Sequence, residues 1–126
     1  MPTQHEPVPN KPVHHKIDYV EFASADLAAT RAFFAATFGW QFEEYDSYLA
    51  FHGAGLDGGI YRAERTGRVD TGSVLIVFYS VDLAATERPV KQHGATIVKP
   101  AFAFPGGRRF HFTEPAGNEF AVWSDR

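Results

Sequence analysis

The chain has 126 residues, 44% of them apolar, with a formal net charge of −3 and no cysteine. This size and composition suit one globular domain, and the scattered basic residues give nucleic acid or an anionic membrane no electrostatic footprint to bind. No apolar run approaches the ~20 residues of a membrane span, and the missing cysteines exclude disulfides and thiol nucleophiles. A small molecule or another protein is the expected partner.

The chain opens on a proline-rich stretch, residues 1–15, that carries almost no large apolar side chains. We expect these residues to form an extended tail and residues 16–126 to form one domain. The stretch lacks the apolar segment of a signal peptide. Together with the absence of cysteine, this predicts a cytoplasmic protein.

The first predicted strand covers residues 17–23, IDYVEFA, in which polar and apolar positions alternate. This period of two is typical of a half-buried strand. The alternation places Val20 and Phe22 under a helix and leaves Tyr19 and Glu21 on the opposite, open face.

A helix is predicted next, with Asp26 as its N-cap and Gly39 at its end. Three short segments rich in aromatic residues follow, QFEEY, SYLAFH and GGIYR, separated by turn residues. Their composition predicts antiparallel strands.

The second half of the chain repeats this order. SADLAAT at residues 24–30 returns as SVDLAAT at residues 80–86, an offset of 56 residues, and each copy lies between one predicted strand and three others. Self-similarity at a fixed period indicates architecture. The prediction is an α+β protein built from two tandem βαβββ modules, residues 16–66 and 72–126. Pro89 lies inside the second helix and predicts a kink or a short helix.

Three motifs carry a resemblance to a known family: YVEFASADLAATRAFFAATFGW, GGIYR and RRFHFTEPAGNEFAVW. From Ile17 to Trp123 the chain resembles the vicinal oxygen chelate superfamily, which includes glyoxalase I, bleomycin-resistance proteins and extradiol dioxygenases. The resemblance implies that the paired modules form a curled mixed sheet around a cleft, with the helices outside. It also implies a homodimer.

Strand alternation predicts which side chains face that cleft. Side chains under the helices, such as Phe110 and Phe112, do not line the cleft. The side chains that do line it are mostly aromatic, with a few ionisable groups. The predicted ligand-binding residues are Tyr19, Tyr61, Arg62, Leu75, Arg109, Glu119 and Trp123.

The metal site of the superfamily does not carry over to this sequence. The resemblance places the usual ligands at Tyr19, Leu75 and Ala121, with a further position near Gly59, and none of these matches a standard ligand. A tight divalent site needs three or four convergent donors. We therefore predict no cofactor, and the chain resembles the metal-ligand-poor, glyoxalase-like bacterial proteins.

Three functions stay open from the sequence. The first is a metal-free module that binds a small aromatic or hydrophobic compound. The second is a lyase, isomerase or dioxygenase-type enzyme in which Glu21 and His111 act as an acid/base pair, or in which Glu21, His111 and Glu119 hold a non-standard metal. The third is an interaction protein whose cleft is vestigial.

Overall fold

The structure is a computed structural model that describes residues 12–126, so most of the predicted tail lies outside the described residues. In chain order its elements are β1 (Tyr19–Ser24), α1 (Leu27–Phe38), β2 (Gln41–Tyr45), β3 (Tyr48–His52), β4 (Asp57–Arg62), a 3₁₀ turn (Val69–Thr71), β5 (Ile76–Tyr79), α2 (Leu83–Gln92), β6 (Thr96–Phe104), β7 (Gly107–Thr113) and β8 (Glu119–Ser124). Neither helix of this part of the chain is long and apolar enough to cross a membrane.

The strands form two mixed sheets of four. The first sheet has the order β1-β4-β3-β2 and the second has the order β5-β8-β7-β6. In each sheet the first and last strands of a module pair in parallel, and the other pairs are antiparallel. The α+β fold of two βαβββ modules is confirmed. β1 and β5 each lie at an edge of their sheet.

The repeated heptapeptide forms the start of each helix. The carboxylate of Asp26 accepts a hydrogen bond from the Ala29 N–H at 3.1 Å, and the Ser24 hydroxyl accepts one from the Asp26 N–H and pairs with the Thr30 hydroxyl. The second copy makes the same set of bonds through Ser80, Asp82, Ala85 and Thr86. These side chains satisfy donors that a helix N-terminus otherwise leaves free.

The helix ends largely match the predictions. Gly39 adopts φ 73° and caps α1, while α2 ends one residue before His93, and Gly94 adopts φ 103°. Pro89 lies inside α2, which has 10 residues against 12 in α1. The sequence SVLIVFY, residues 73–79, predicts a strand before the second heptapeptide, and the strand observed there, β5, begins only at Ile76.

Both modules contribute to one aromatic core. Phe34 of α1 stacks on Trp40 with 4.2 Å between ring centroids, and it also contacts Phe78 of β5 and Phe120 of β8. Phe38 stacks on Phe78 at 4.2 Å. The first helix therefore packs against strands of the second module, and the two modules share one hydrophobic core.

The EPAGN segment ties the second module to the first. Buried Glu114 accepts a hydrogen bond from the Thr30 hydroxyl at 2.8 Å. Asn118 donates to the carbonyl oxygen of Ala23 at 2.8 Å and accepts from the Gly67 N–H at 2.8 Å. This segment, which is the turn before β8, thereby holds the end of β1 and the start of α1 in place.

Candidate functional site

The open face of the first sheet is rich in tyrosine and glutamate side chains. Tyr19 and Glu21 point outward from β1, since the burial of alternate residues of that strand places Val20 and Phe22 on the core side. Strand pairing puts Glu21 beside Gly59, and Tyr48 beside Tyr61. We call Tyr19, Glu21, Tyr48 and Tyr61 the tyrosine face.

A chain of hydrogen bonds runs across the tyrosine face. The Tyr48 hydroxyl donates to Oε2 of Glu21 at 2.8 Å, so the Tyr19 hydroxyl, 2.5 Å away, donates to Tyr48. Burial, and the hydrogen bonds to Tyr19 and Glu21, raise the pKa of the Tyr48 hydroxyl above its ordinary value. The second carboxylate oxygen of Glu21 stays available to a ligand.

The glycine of β4 makes room for this chain. A Cβ atom added at Gly59 would lie 1.7 Å from the Tyr48 hydroxyl oxygen and 2.2 Å from its Cζ. No side chain larger than hydrogen therefore allows Tyr48 to reach Glu21. The resemblance to the superfamily places a metal ligand near Gly59. In this structure the phenol of Tyr48, from β3, fills the space beside Gly59.

A polar pocket of about 220 Å³ adjoins the tyrosine face. Its lining includes Glu21, Tyr61, Arg65, Thr66 and Ser73. Arg65 makes no ion pair within residues 12–126. The pocket thus presents a carboxylate and a guanidinium to the same small volume.

An apolar groove of about 470 Å³ lies at the other end of the gap between β1 and β5. Its lining includes Val20, Trp40, Phe51, Leu56, Phe78 and Tyr79. A smaller depression shares Ile76 with this groove and shares Phe22 and Ser73 with the polar pocket. We call the three depressions, which are linked by these shared lining residues, the intermodule cleft.

The open face of the second sheet is largely covered. His111, Glu119 and Ala121 lie on this face, as the alternation predicts, but they are buried. The cover comes from distant segments: the Val69 N–H donates to Oε1 of Glu119 at 3.0 Å, and the Phe102 ring lies 5.9 Å from the imidazole of His111.

The structure gives Glu21 and His111 different partners. Glu21 pairs with Tyr48 on the first sheet, whereas Nδ1 of His111 lies 2.8 Å from Oε2 of Glu119 on the second. Burial by itself raises the pKa of Glu119, but the Val69 N–H, His111 and nearby Arg68 hold that pKa below its ordinary value. No hydrogen bond joins Glu21 to His111.

The other predicted ligand-binding residues lie in separate places. Arg62 is exposed, and its Nη2 lies 3.7 Å from Oε2 of Glu64. Leu75 is half-buried and lies just before β5. The Trp123 ring contacts Tyr79 and Phe104 on the second sheet. Only Tyr19 and Tyr61, with Glu21, share one open surface. Tyr48 and Arg65 were not among the predicted residues.

The residues at the family's metal positions do not suit a divalent cation. The strand registers place Gly59 and Ala121 at matching points of the two modules, opposite Glu21 and Val77. Of the four positions only Tyr19 carries a donor, and that phenol already bonds Tyr48. Within residues 12–126 no three His, Asp or Glu side chains group around a possible metal ion, so the Glu21, His111 and Glu119 set does not converge either.

Solved structures share this fold. A glyoxalase-related enzyme from Fulvimarina pelagi is 16% identical with a TM-score of 0.73, and the match covers 87% of this chain and 88% of that one. The fosfomycin resistance protein FosX from Listeria monocytogenes is 19% identical with a TM-score of 0.73, covering 89% and 94%. A mutant of FosX has been solved with Mn(II) and 1S,2S-dihydroxypropylphosphonic acid.

The sequence comparisons reach the same family. No curated protein matches the sequence. The model of the Glyoxalase/Bleomycin resistance protein/Dioxygenase superfamily matches residues 16–122, which is most of the chain. With its paired βαβββ modules, the chain belongs to the glyoxalase/bleomycin resistance protein/dioxygenase superfamily.

Proposed function

We propose that this protein binds a small amphipathic molecule in the intermodule cleft without a metal ion. The proximity of two depressions carries the proposal: an apolar groove of about 470 Å³ and a polar pocket of about 220 Å³ each share lining residues with the small depression between them. Ligand sites of this size are mostly apolar, with a few polar groups that fix orientation.

The residues of the polar pocket indicate which functional groups of the ligand it can bind. The free oxygen of Glu21 accepts a hydrogen bond, so a hydroxyl, amine or ammonium group suits it. Arg65, which also lines the pocket, favours an oxyanion or a carbonyl. An apolar or aromatic body then occupies the groove lined by Trp40 and Phe78.

The donor set supports metal-free binding. Glycine, leucine and alanine at three of the four family positions supply no ligand atom, and the tyrosine at the fourth is engaged. The ligand is therefore held by side-chain hydrogen bonds and apolar contact. We further infer a cytoplasmic location, which the absence of cysteine supports.

Thermal-shift titration of the full-length protein with 1-anilinonaphthalene-8-sulfonate and a set of smaller aryl amines tests the proposal. Saturable binding stabilises the folded state by about 2.7 kcal/mol at a hundred times the dissociation constant. Leu56→Arg fills the groove and abolishes the shift. Ile17→Arg, the same change at an exposed apolar residue that lines none of the three depressions, retains it. An unchanged shift in Leu56→Arg would place the ligand elsewhere, and no binder at all would favour an interaction protein.

An acid–base enzyme at the same site is the second candidate. The observation that favours it is the carboxylate of Glu21, held by Tyr48 at the edge of the polar pocket, where a general base for a bound substrate belongs. In this form His111 takes no part, because it bonds Glu119. Once a ligand is known, turnover that survives Glu21→Gln, with Glu64→Gln as the matched control, would exclude the enzyme.

We also propose that two copies associate. The exposed apolar side chains Val74 and Val81 flank β5 and line no part of the apolar groove, so they offer apolar surface to a second copy. The resemblance to a superfamily rich in homodimers supports the same arrangement. Light scattering coupled to size exclusion should give twice the 14.0 kDa chain mass, and Val74→Lys should reduce it. A monomer mass in the unaltered protein would contradict this.

A further inference from the structure

Two buried nitrogen atoms on the open face of the second sheet have no hydrogen-bond partner. They are Nε of Arg109 and Nε2 of His111, two residues apart on β7 and therefore on the same side of the strand. The His111 side chain is 1% exposed. Buried polar atoms without a partner cost free energy, so such a pair in one place indicates a missing group.

The two atoms have opposite hydrogen-bonding character. Glu119 is ionised and can only accept, so the 2.8 Å contact requires the proton of His111 to lie on Nδ1. In the neutral imidazole Nε2 then carries a lone pair and accepts a hydrogen bond. Nε of Arg109 always carries a proton and donates one. The site therefore offers one cationic donor and one acceptor.

Positive charge and an aromatic ring surround the pair. The guanidinium of Arg109 lies 5.6 Å from the Phe102 ring centroid, and the amino group of Lys99 lies 6.0 Å from it. The carboxylate that faces this cluster, Glu119, is already shared by His111, the Val69 N–H and Arg68. An anion brought to Arg109 thus meets an excess of positive charge.

The strand beside the pair, β6, is irregular. Pairing between β6 and β7 shifts register between Ile97 and Lys99 and again between Lys99 and Phe102, with Pro100 between them. Proline removes a ladder hydrogen bond, and bulges of this kind often lie next to binding sites. Phe102 is 37% exposed, so its ring separates the buried pair from solvent.

We propose that Arg109 and His111 form a second binding site for a small hydroxylated carboxylate beneath Phe102. The carboxylate accepts from Arg109, and the adjacent hydroxyl of the ligand donates to Nε2 of His111. Arg109, His111 and Phe102 line none of the three depressions of the intermodule cleft, although Glu119, which bonds His111, lines the smallest of them. The proposal rests on the two unpartnered nitrogen atoms and not on the function proposed above.

NMR titration of the full-length protein tests the proposal with three probes: glycolate, acetate and inorganic phosphate. Acetate lacks the hydroxyl, and phosphate replaces the carboxylate. The imidazole nitrogens of His111 are assigned by elimination, through single His→Gln variants of the other histidines. We expect glycolate to shift the Nε2 resonance saturably. Acetate should bind about tenfold more weakly, because it leaves the acceptor unpaired.

Two variants locate the site. Arg109→Gln should weaken glycolate binding by about tenfold or more, since the charge-assisted bond is lost. Arg108→Gln is the matched control, because its neighbouring side chain is exposed on the other face of β7. The comparison of glycolate with acetate needs no variant, so it stands even if Arg109→Gln fails to fold.

Three outcomes would overturn the proposal. Equal affinity for acetate and glycolate would remove the role of the hydroxyl, and preference for phosphate would assign the site to a plain polyanion. No shift with any probe, combined with a water cross-peak at Nε2, would show that one bound water bridges Arg109 and His111 instead.

Discussion

The side-chain amide of Asn118 donates a hydrogen bond to the main-chain carbonyl oxygen of Ala23, 95 residues earlier, at 2.8 Å. This contact joins the turn before β8 to the penultimate residue of β1. Asn118→Ala would leave the Ala23 carbonyl and the Gly67 N–H without their partners in a buried place. We expect the free energy of unfolding to fall by about 3 kcal/mol.

Urea unfolding of Asn118→Ala measures this effect, with Ser73→Ala as an exposed control. A loss of stability equal to that of the control would mean that the EPAGN segment does not join the modules.

Gly59 is expected to matter mainly through Tyr48, since a Cβ atom there would lie 1.7 Å from the Tyr48 hydroxyl oxygen and 2.9 Å from that of Tyr19. Gly59→Ala forces the Tyr48 ring away from Glu21 and should lower the free energy of unfolding by about 1–3 kcal/mol. A double-mutant cycle separates this effect from a general backbone effect. In a Tyr48→Ala background most of the cost should disappear, because the clashing hydroxyl is gone. Equal costs in both backgrounds would show that Gly59 acts independently of Tyr48.

The raised pKa of Tyr48 predicts a loss of stability at alkaline pH. In the unfolded chain the phenol ionises near its ordinary pKa of about 10, whereas in the folded protein it keeps its proton to higher pH. The folded state then binds more protons, so stability falls as pH rises above about 10. Tyr45 and Tyr79, whose pKa values are also raised, share in the fall.

Unfolding free energies measured at successive pH values above neutrality check this dependence. The decline should be shallower in Tyr48→Phe than in the unaltered protein or in Tyr61→Phe, since the Tyr61 hydroxyl has no hydrogen-bond partner within residues 12–126. The same slope in all three proteins would contradict the assignment.

Replacement of Pro89 should stabilise the protein. Pro89 stands inside α2 and has no N–H to donate to the carbonyl of Ala85. Pro89→Ala restores this bond and should raise the free energy of unfolding by about 1 kcal/mol, after the greater freedom of the unfolded chain is subtracted. Thermal unfolding measures the change, and a lowered midpoint would show that the proline ring has a packing role.

Local patterns predicted the architecture because each element has one buried side. The alternation in β1 placed Val20 and Phe22 inward and Tyr19 and Glu21 outward, as the structure has them. The capping aspartates marked both helix starts for the same reason: the bonds they make span only three residues.

Contacts between distant segments explain what the sequence did not reveal. His111 and Glu119 are on the predicted face but are buried, because Val69 and Phe102 contact them. The alternation of polar and apolar residues within a strand does not predict contacts from residues so far away in the sequence. The alternation in YLAFH would have placed Tyr48 on the open face. Its bonds to Tyr19 and Glu21 depend on strand register, which one sequence does not show.

Ligand binding by this protein without a metal ion is the central claim. The most direct measurement is elemental analysis of the untagged, full-length protein before and after incubation with Mn²⁺, Ni²⁺, Zn²⁺ and Fe²⁺. A variant with His5, His14 and His15 changed to Gln serves as the control for adventitious binding near the N-terminus. We predict less than stoichiometric metal in both proteins. One tightly held metal ion per chain in both would contradict the account.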